Sequence, residues 1–514
     1  MIYVSAKHST VGVPVTTQLG NIFPNSTRVK LASEEMILIN HGYDETRLLR
    51  NLGMEIPSPI LSYDWEGGTP FDTQKKTAEL FTMNQRAYCL NGMGTGKTKA
   101  ALWAWRYLNR KGEAGKLIVL APLSTLNFTW AKEVFQTLPG VKVQVLYGTK
   151  EKRLQRLADE EADIYVINHE GLAVIAEALL KRKDINTMIL DELAVYRNGQ
   201  ATRTKVVRKV AATMKWAWGM TGSPTPNLPT DAWSQCSILT PHTVPKHFNR
   251  FRDNVMTKIT SFKYVPKQGA LDTVFAVMQP AVRYTLDDVV ELPELVERTV
   301  DVALGPKQLR VYKEMEQAAF TAIQGKEITA MNAGAILGKL LQISCGFVYT
   351  REHETVTLDN DARMTAIVDL VDATDRKVIV FVPFVHALEA IAARLTHEGY
   401  DVRAVSGATP KGERDTIFNL FQNTSSVKAI VAHPACMSHG LTLTSADTII
   451  WAAPTTSLET FEQSNARIRR IGQKHRQQVI MLQSTAVEKR MYAKLRAKQA
   501  VQNLLLDMYA EASV

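Results

Sequence analysis

Cysteine is scarce in this chain: four residues in 514, Cys89, Cys236, Cys345 and Cys436, with no C-x-x-C pair among them. That spacing excludes a disulfide framework and offers no structural zinc site; it suits a reducing cytoplasm. Long apolar runs are missing as well. The longest, VIVFVPFVHAL at 378–388, contains Pro383 and falls well short of the roughly 20 residues a membrane-spanning helix needs. The opening MIYVSAKHSTVG has no apolar core of a secretory signal. Long internal repeats and low-complexity tracts are absent too. Acidic residues are the scarcer charge, 51 Asp plus Glu against 61 Lys plus Arg, giving +10. This balance favours a polyanionic partner, although a generically basic soluble surface has the same composition. Together these absences leave a chain expected to be soluble and cytoplasmic, with no membrane partner.

What is present is ordinary globular composition, 45% hydrophobic and 22% charged, in a length suited to about two to four domains. From residue 85 onward short apolar strands alternate with helical stretches, the pattern of a parallel α/β sheet. RAYCLN (86–91), KLIVLA (116–121), DIYVIN (163–168), TMIL (187–190) and WAWGM (216–220) form one set. KVIVFV (377–382), DVRAV (401–405), KAIVA (428–432), DTIIW (447–451) and QVIMLQ (478–483) form a second. Each set can build its own core, so the fold class is α/β with two parallel-sheet lobes, at 61–240 and 296–514. Between them, 241–295 reads as an irregular interlobe linker, interrupted by Pro241, Pro245, Pro266, Pro280 and Pro293. Residues 305–345 read as a helical insertion in the second lobe, and 487–509 as a terminal amphipathic helix. Residues 1–60 do not continue the α/β rhythm and read as a small accessory module. Its Lys7, Arg28, Lys30, Arg47 and Arg50 are phosphate-contact candidates or simply a solvated surface.

The strand RAYCLN ends in NGMGTGKT (91–98), and KAALWAWRYL follows at helical periodicity. Strand, glycine-rich turn and helix is the setting of a phosphate-binding loop. Gly94, Thr95 and Gly96 would turn backbone amides toward phosphate oxygens, with the helix N-terminus adding partial positive charge. Lys97 would reach the β- and γ-phosphates of ATP, and the Thr98 hydroxyl would bind Mg²⁺. Without its context the same stretch is a glycine-rich turn beside a surface lysine. TMIL-DELA places Asp191 and Glu192 at the end of a buried strand, where open α/β sheets bind ligands. Asp191 would hold Mg²⁺ and Glu192 would orient or deprotonate an attacking water. MTGSPTPN at 220–227 follows another strand and brings Thr221 and Ser223 to the same rim. Far downstream, EQSNARIRRIGQ (462–473) spaces Gln463, Arg467 and Arg470 at i, i+4 and i+7, one face of a predicted helix. Guanidiniums there could neutralise charge on a transferring phosphoryl group, worth about 10³–10⁵ in rate; the plainer alternative is an exposed basic face.

The order of these motifs resembles the Swi/Snf-like branch of superfamily-two helicases over roughly residues 70–495. NGMGTGKT, LIVLAPLSTLNFTW (117–130), DELA and MTGSP are similar to that family's first-lobe series. VIVFVPF, VSGATPKGER, HGLTLTSADTII and QSNARIRRIGQ are similar to its second-lobe series. Departures occur at Asn91 and Gly92, Ala194 and Arg469, which spare the groups meeting phosphate and Mg²⁺. The resemblance implies two RecA-like lobes and an ATP-driven translocase on double-stranded or branched DNA, acting as a monomer. Gln74, Gly440 and Gln463 join the nucleotide site on this basis. Ser124 and Thr125 in lobe one, and Ser406, Gly407 and Thr442 in lobe two, would contact the DNA backbone. The compact chain looks more like bacterial or phage-encoded members than like nucleosome remodellers. A strand-separating DNA or RNA helicase of the same superfamily, or a nucleic-acid-binding scaffold with an inactive ATPase, is the alternative.

Overall fold

The computed structural model describes residues 2–5, 7–31, 34–260, 264–324, 330–350, 354–437 and 442–498. Gly440 and the last part of the predicted terminal helix lie outside them. The chain divides into two compact units, 1–289 and 290–514.

Seven strands form the sheet of the first unit, all parallel. Their order is Ala281–Val282, Arg86–Cys89, Trp216–Met220, Ile185–Asp191, Lys116–Ala121, Ile164–Asn168 and Val143–Val145. The strands are apolar nearly throughout because both faces are covered. Ile118, Leu120, Tyr165, Ile167, Met188 and Leu190 pack on one side. Their neighbours Leu117, Val119, Ile164, Val166 and Ile189 pack on the other, as the two-residue side-chain period requires. The second unit repeats the scheme with six parallel strands, Leu295–Asp301, Gln477–Gln483, Ala446–Trp451, Lys377–Phe381, Ala429–Ala432 and Val402–Val405. These are the two parallel-sheet lobes expected from the strand pattern, RecA-like as the family resemblance implies. Helices Pro306–Gln324 and Ala330–Ser344 occupy the stretch read as a helical insertion. Among the described residues no helix is long and apolar enough to cross a membrane.

The first residues fold as a four-stranded antiparallel sheet, ordered Tyr3–Ser5, Thr10–Pro14, Glu34–Asn40 and Thr27–Leu31. Alternate residues Val11, Val13, Ile37 and Ile39 meet Leu19 and Leu49 from two helices in a small separate core. Arg50, a candidate phosphate contact, is engaged elsewhere: its Nε donates to the Ile56 carbonyl at 2.8 Å and its Nη2 pairs with Glu79 at 3.0 Å. It ties this module to the helix Asp72–Met83.

Residues 241–295 correct the linker expectation. They form helices Phe248–Val255 and Ala270–Val277, and a hairpin of Met256–Lys258 with Tyr264–Pro266. The Ala281–Val282 strand then extends the first sheet beside Arg86–Cys89. Phe251, Val255, Met256, Ala270, Val274 and Met278 are buried in the first unit's core. The prolines punctuate this subregion without excluding structure from it: Pro266 ends a strand, and Pro280 precedes an edge strand, where a missing donor is tolerated.

In the second unit Arg363 and Glu488 form a buried pair at 2.9 Å, with both residues under a twentieth exposed. Arg363 also donates to the Ser484 hydroxyl at 2.6 Å and to the Ala452 carbonyl. Glu488 accepts from the amides of Ser484 and Thr485 and so closes the capping box of the helix Ala486–Arg496. Both charged groups have hydrogen-bonded partners, as a buried pair requires, although the Arg363 Nε itself is left without one. Glu488→Ala strands the guanidinium, and the expected loss is about 3–5 kcal/mol. Urea unfolding of the full chain checks it; a loss below about 1 kcal/mol, the scale of an exposed pair, contradicts the assignment.

Candidate functional site

The strand Arg86–Cys89 runs into the turn 91–96, and Lys97 opens the 14-residue helix Lys97–Arg110. Gly94 and Gly96 sit at φ +79° and +78°, the left-handed region glycine enters without penalty. A Cβ at Gly96 would come within 2.1 Å of Gln74 Nε2. Gln74 is buried; its Nε2 lies 3.4 Å from the Gly96 carbonyl, and its Oε1 accepts from the Phe71 amide at 2.9 Å. The Thr95 hydroxyl donates back to Gly92 O at 2.9 Å. Lys97 Nζ donates to the carbonyls of Asn91 at 2.8 Å and Gly92 at 3.2 Å. Neutral carbonyls are weaker partners for an ammonium than phosphate oxygens, so an anion could displace them. Glycines at left-handed φ, a helix N-terminus and this lysine fit a triphosphate.

Asn91 stands where a glycine is usual, and the structure gives it work. Its Nδ2 donates to the Thr77 hydroxyl at 3.1 Å, and its Oδ1 accepts from the Tyr284 amide at 2.9 Å. Gly92 N donates to the Tyr284 carbonyl at 2.7 Å. The loop is thereby pinned to the helix Asp72–Met83 on one side and to the chain leaving the Ala281–Val282 edge strand on the other.

Asp191 ends the strand Ile185–Asp191 opposite Met220 in the register of the neighbouring strand. One of its carboxylate oxygens accepts from the indole N–H of buried Trp130 at 2.8 Å. Glu192 follows at φ +55°, ψ 56°, a left-handed conformation costing a non-glycine residue about 1–2 kcal/mol. Such strain concentrates at functional sites, and here it turns the backbone sharply after the strand. Thr221 follows Met220, its amide bonded to the Cys89 carbonyl at 3.0 Å. At Gly222 an added Cβ would lie 3.6 Å from Asn91 O and 3.9 Å from Lys97 Nζ. Lys97, Asp191, Glu192 and the 221–223 turn therefore share one rim, and Thr98 lies half-buried in the first turn beside Lys97. Thr98 and Asp191 could contribute to a Mg²⁺ site of the usual kind, one or two protein oxygens completed by phosphates and water. The buried thiols are inert: burial pushes Cys89 and Cys236 up to about 11 and Cys345 to about 12.

Ser124 is exposed after the strand Lys116–Ala121, whereas Thr125 is buried and its hydroxyl donates to Pro122 O at 2.9 Å. Of that expected pair only Ser124 faces solvent. In the second unit Ser406 and Gly407 follow the strand Val402–Val405, and Gly407 is exposed with open space around it. The predicted helical face of Gln463, Arg467 and Arg470 needs correction. The helix Leu458–Asn465 stops at Ala466, and the two arginines lie in the turns beyond it. After the Ala466 amide the backbone bonding tightens, with Arg467 N donating to Ser464 O at 3.1 Å. Arg467 Nε donates to the Gln463 carbonyl at 2.7 Å and only 1% of the residue is exposed. Arg470 is half-buried, its Nη1 3.2 Å from the Thr442 hydroxyl. Burial lowers its pKa to about 10, which leaves it cationic at neutral pH. Thr442 is therefore exposed but already paired with Arg470.

Two family models match. The SNF2-related domain covers residues 83–345, and the helicase conserved C-terminal domain covers 362–472. Protein p41 of Acyrthosiphon pisum secondary endosymbiont phage 1 is 26% identical over 443 residues, 81% of this chain and 93% of that protein. The mouse SWI/SNF-related matrix-associated actin-dependent regulator of chromatin subfamily A member 1 is 23% identical over 449 residues. That match takes in 81% of this chain but only 41% of the regulator's length. Among solved structures, the Sulfolobus solfataricus SWI2/SNF2 ATPase core in complex with dsDNA is similar at TM-score 0.41 and 24% identity, covering 84% of this chain and 91% of that one.

Gly96→Ala places a Cβ at a left-handed φ and against Gln74. The expected outcome is loss of about 1–2 kcal/mol of stability together with a weakened anion site. Thermal unfolding and binding of a fluorescent ATP analogue check the two effects; wild-type values in both contradict the loop geometry.

Proposed function

This chain belongs to the SNF2-related family of helicase-like ATPases, and from that premise we propose that it hydrolyses ATP to translocate along double-stranded DNA. Remodelling of branched DNA or of protein–DNA complexes would be the outcome. The observation that carries this reading is the convergence of Lys97, Asp191, Glu192 and the 221–223 turn on one rim of a parallel sheet. A separate parallel-sheet unit holds the arginine-bearing turns.

ATP with Mg²⁺ supplies the driving phosphoanhydride. The amides of residues 94–97 and the Lys97 ammonium bind its phosphates, with Lys97 releasing the loop carbonyls to do so. Thr98 and Asp191 hold the metal. Glu192, set apart from the strand by its left-handed backbone, orients the attacking water and accepts its proton. Gln74 lines the nucleotide side of the loop. In the second unit Gln463, Arg467 and Arg470 are the candidate nucleotide-binding residues, and Arg470 is the guanidinium with solvent access. Arg467, being buried, supports the turn that carries it. On the DNA side Ser124, Ser406, Gly407 and Thr442 would meet phosphates, so binding should be salt-sensitive and largely independent of sequence.

Steady-state ATPase measured with no nucleic acid, linear duplex, forked duplex, single strand and RNA tests the substrate. Strong stimulation by duplex, greater with the fork, is expected. Stimulation by single strands or RNA alone would instead make the chain a strand-separating helicase. Glu192→Gln should lower kcat by about 10²–10⁴-fold, the worth of a general base, with ATP still bound; unchanged turnover would point to a scaffold. Arg470→Ala should cost about 10³-fold or more in kcat and spare DNA affinity, and retained hydrolysis in that variant sinks the finger assignment.

A further inference from the structure

Six tryptophans besides Trp65 and Trp130 show where an indole N–H is ordinarily spent in this molecule. Trp103, Trp105, Trp216, Trp218 and Trp233 donate to backbone carbonyls at 2.8–3.0 Å. Trp451 donates to the Asn465 side-chain amide at 2.8 Å. Trp130 differs: its N–H goes to a carboxylate, that of Asp191, at 2.8 Å. The ring is wholly buried in the first unit's core, and the backbone carrying it is unusual. Residues Leu126–Ala131 form a π-helical turn, a rare geometry found mostly where function requires a side chain to be re-aimed. The turn separates its residues sharply. Asn127 faces solvent, as does Ser124 in the adjoining turn Leu123–Thr125, while Leu126 and Trp130 point into the core. The helix that follows adds a second tie to the nucleotide side, because Glu133 pairs at 3.5 Å with Lys99 in the first turn of the Lys97–Arg110 helix.

We propose that Trp130 is a positioning residue: it fixes the Mg²⁺-binding carboxylate of Asp191 and couples it to the DNA-facing turn that carries Ser124. The inference rests on the function proposed above. The chemistry favours an indole for this task. A neutral single donor holds one carboxylate oxygen in place without cancelling the charge the metal needs, whereas a lysine or arginine at the same point would compete with Mg²⁺. Residues that orient metal ligands in this way contribute about 10–100-fold to metal affinity. Because Ser124 and Trp130 lie on two adjoining turns within residues 123–131, a shift on the exposed side would move the indole, and with it the carboxylate.

The test is a Mg²⁺ titration of ATP-analogue binding, with and without duplex DNA, on the full chain. Wild type, Trp130→Phe and Trp105→Phe are compared, the last removing a buried indole N–H that serves only the Gly115 carbonyl. Trp130→Phe should raise the half-saturating Mg²⁺ concentration by about 10-fold or more while binding metal-free ATP normally. Duplex should lower that concentration in wild type and in Trp105→Phe but leave Trp130→Phe unmoved. The proposal is overturned if Trp130→Phe titrates like wild type, or if Trp105→Phe shifts as far, which would mark a purely structural effect. A wild-type chain that binds no ATP at any Mg²⁺ concentration would bring down the broader functional reading instead, a result distinct from either.

Discussion

Parallel pairing is the constraint on which the first unit depends. When seven strands run the same way, their C-terminal ends reach one edge of the sheet, and the chain after each must turn there. Pro122, Glu192 and Thr221 directly follow three of those ends, and Asn91 lies two residues past a fourth. They are far apart in sequence, yet they meet because Arg86–Cys89, Trp216–Met220, Ile185–Asp191 and Lys116–Ala121 are consecutive neighbours. Antiparallel pairing would send alternate loops to the opposite rim and divide the site. The buried apolar strands specify that pairing, so the site's chemistry follows from the core's hydrophobicity before any polar residue is considered.

The polar residues then fix what the sheet only brings near. Two kinds of restraint act on the phosphate-binding loop. Glycines at 94 and 96 allow its curvature, and side chains hold it from outside: Gln74 at Gly96, and Asn91 between Thr77 and Tyr284. The second restraint has a consequence for connectivity. Tyr284 lies a few residues before the division between the units at 289 and 290, so the loop that would sense nucleotide is bonded directly to the chain that exits the lobe.

Much of this was legible in the sequence, and the failures have physical causes. All ten predicted lobe strands are present because buried parallel strands are short, apolar and bounded by turn residues. The strands Val143–Val145, Ala281–Val282 and Leu295–Asp301 are not among those ten: each is at a sheet edge, where one side has no neighbour and the apolar signal weakens. The region 241–295 departs from its linker expectation because its prolines bound short elements without excluding them. The Arg467–Arg470 stretch kept helical spacing after the helix had ended, since successive turns of the chain place residues at similar intervals. Trp130 lay within a recognised motif but carried no sequence signal of its partner, because Asp191 is 61 residues away and the π-turn that aims the indole has no simple pattern.

The two arginines of the second unit show how far spacing alone can carry an assignment. Equal in the sequence, they differ in environment: Arg467 is enclosed and bonded to the Gln463 carbonyl, while Arg470 reaches the exposed Thr442 hydroxyl. A guanidinium that must meet a developing phosphoryl charge has to be desolvated in advance yet still reachable. Full enclosure removes access, and full exposure dilutes the field in water. Arg470 occupies the intermediate condition, with burial lowering its pKa but leaving the charge intact. Its Nη1 meets the neutral Thr442 hydroxyl and its Nε the Ala466 carbonyl, each at 3.2 Å. Arg467 likewise spends its Nε on the carbonyl four residues back, that of Gln463, so what separates the two arginines is burial.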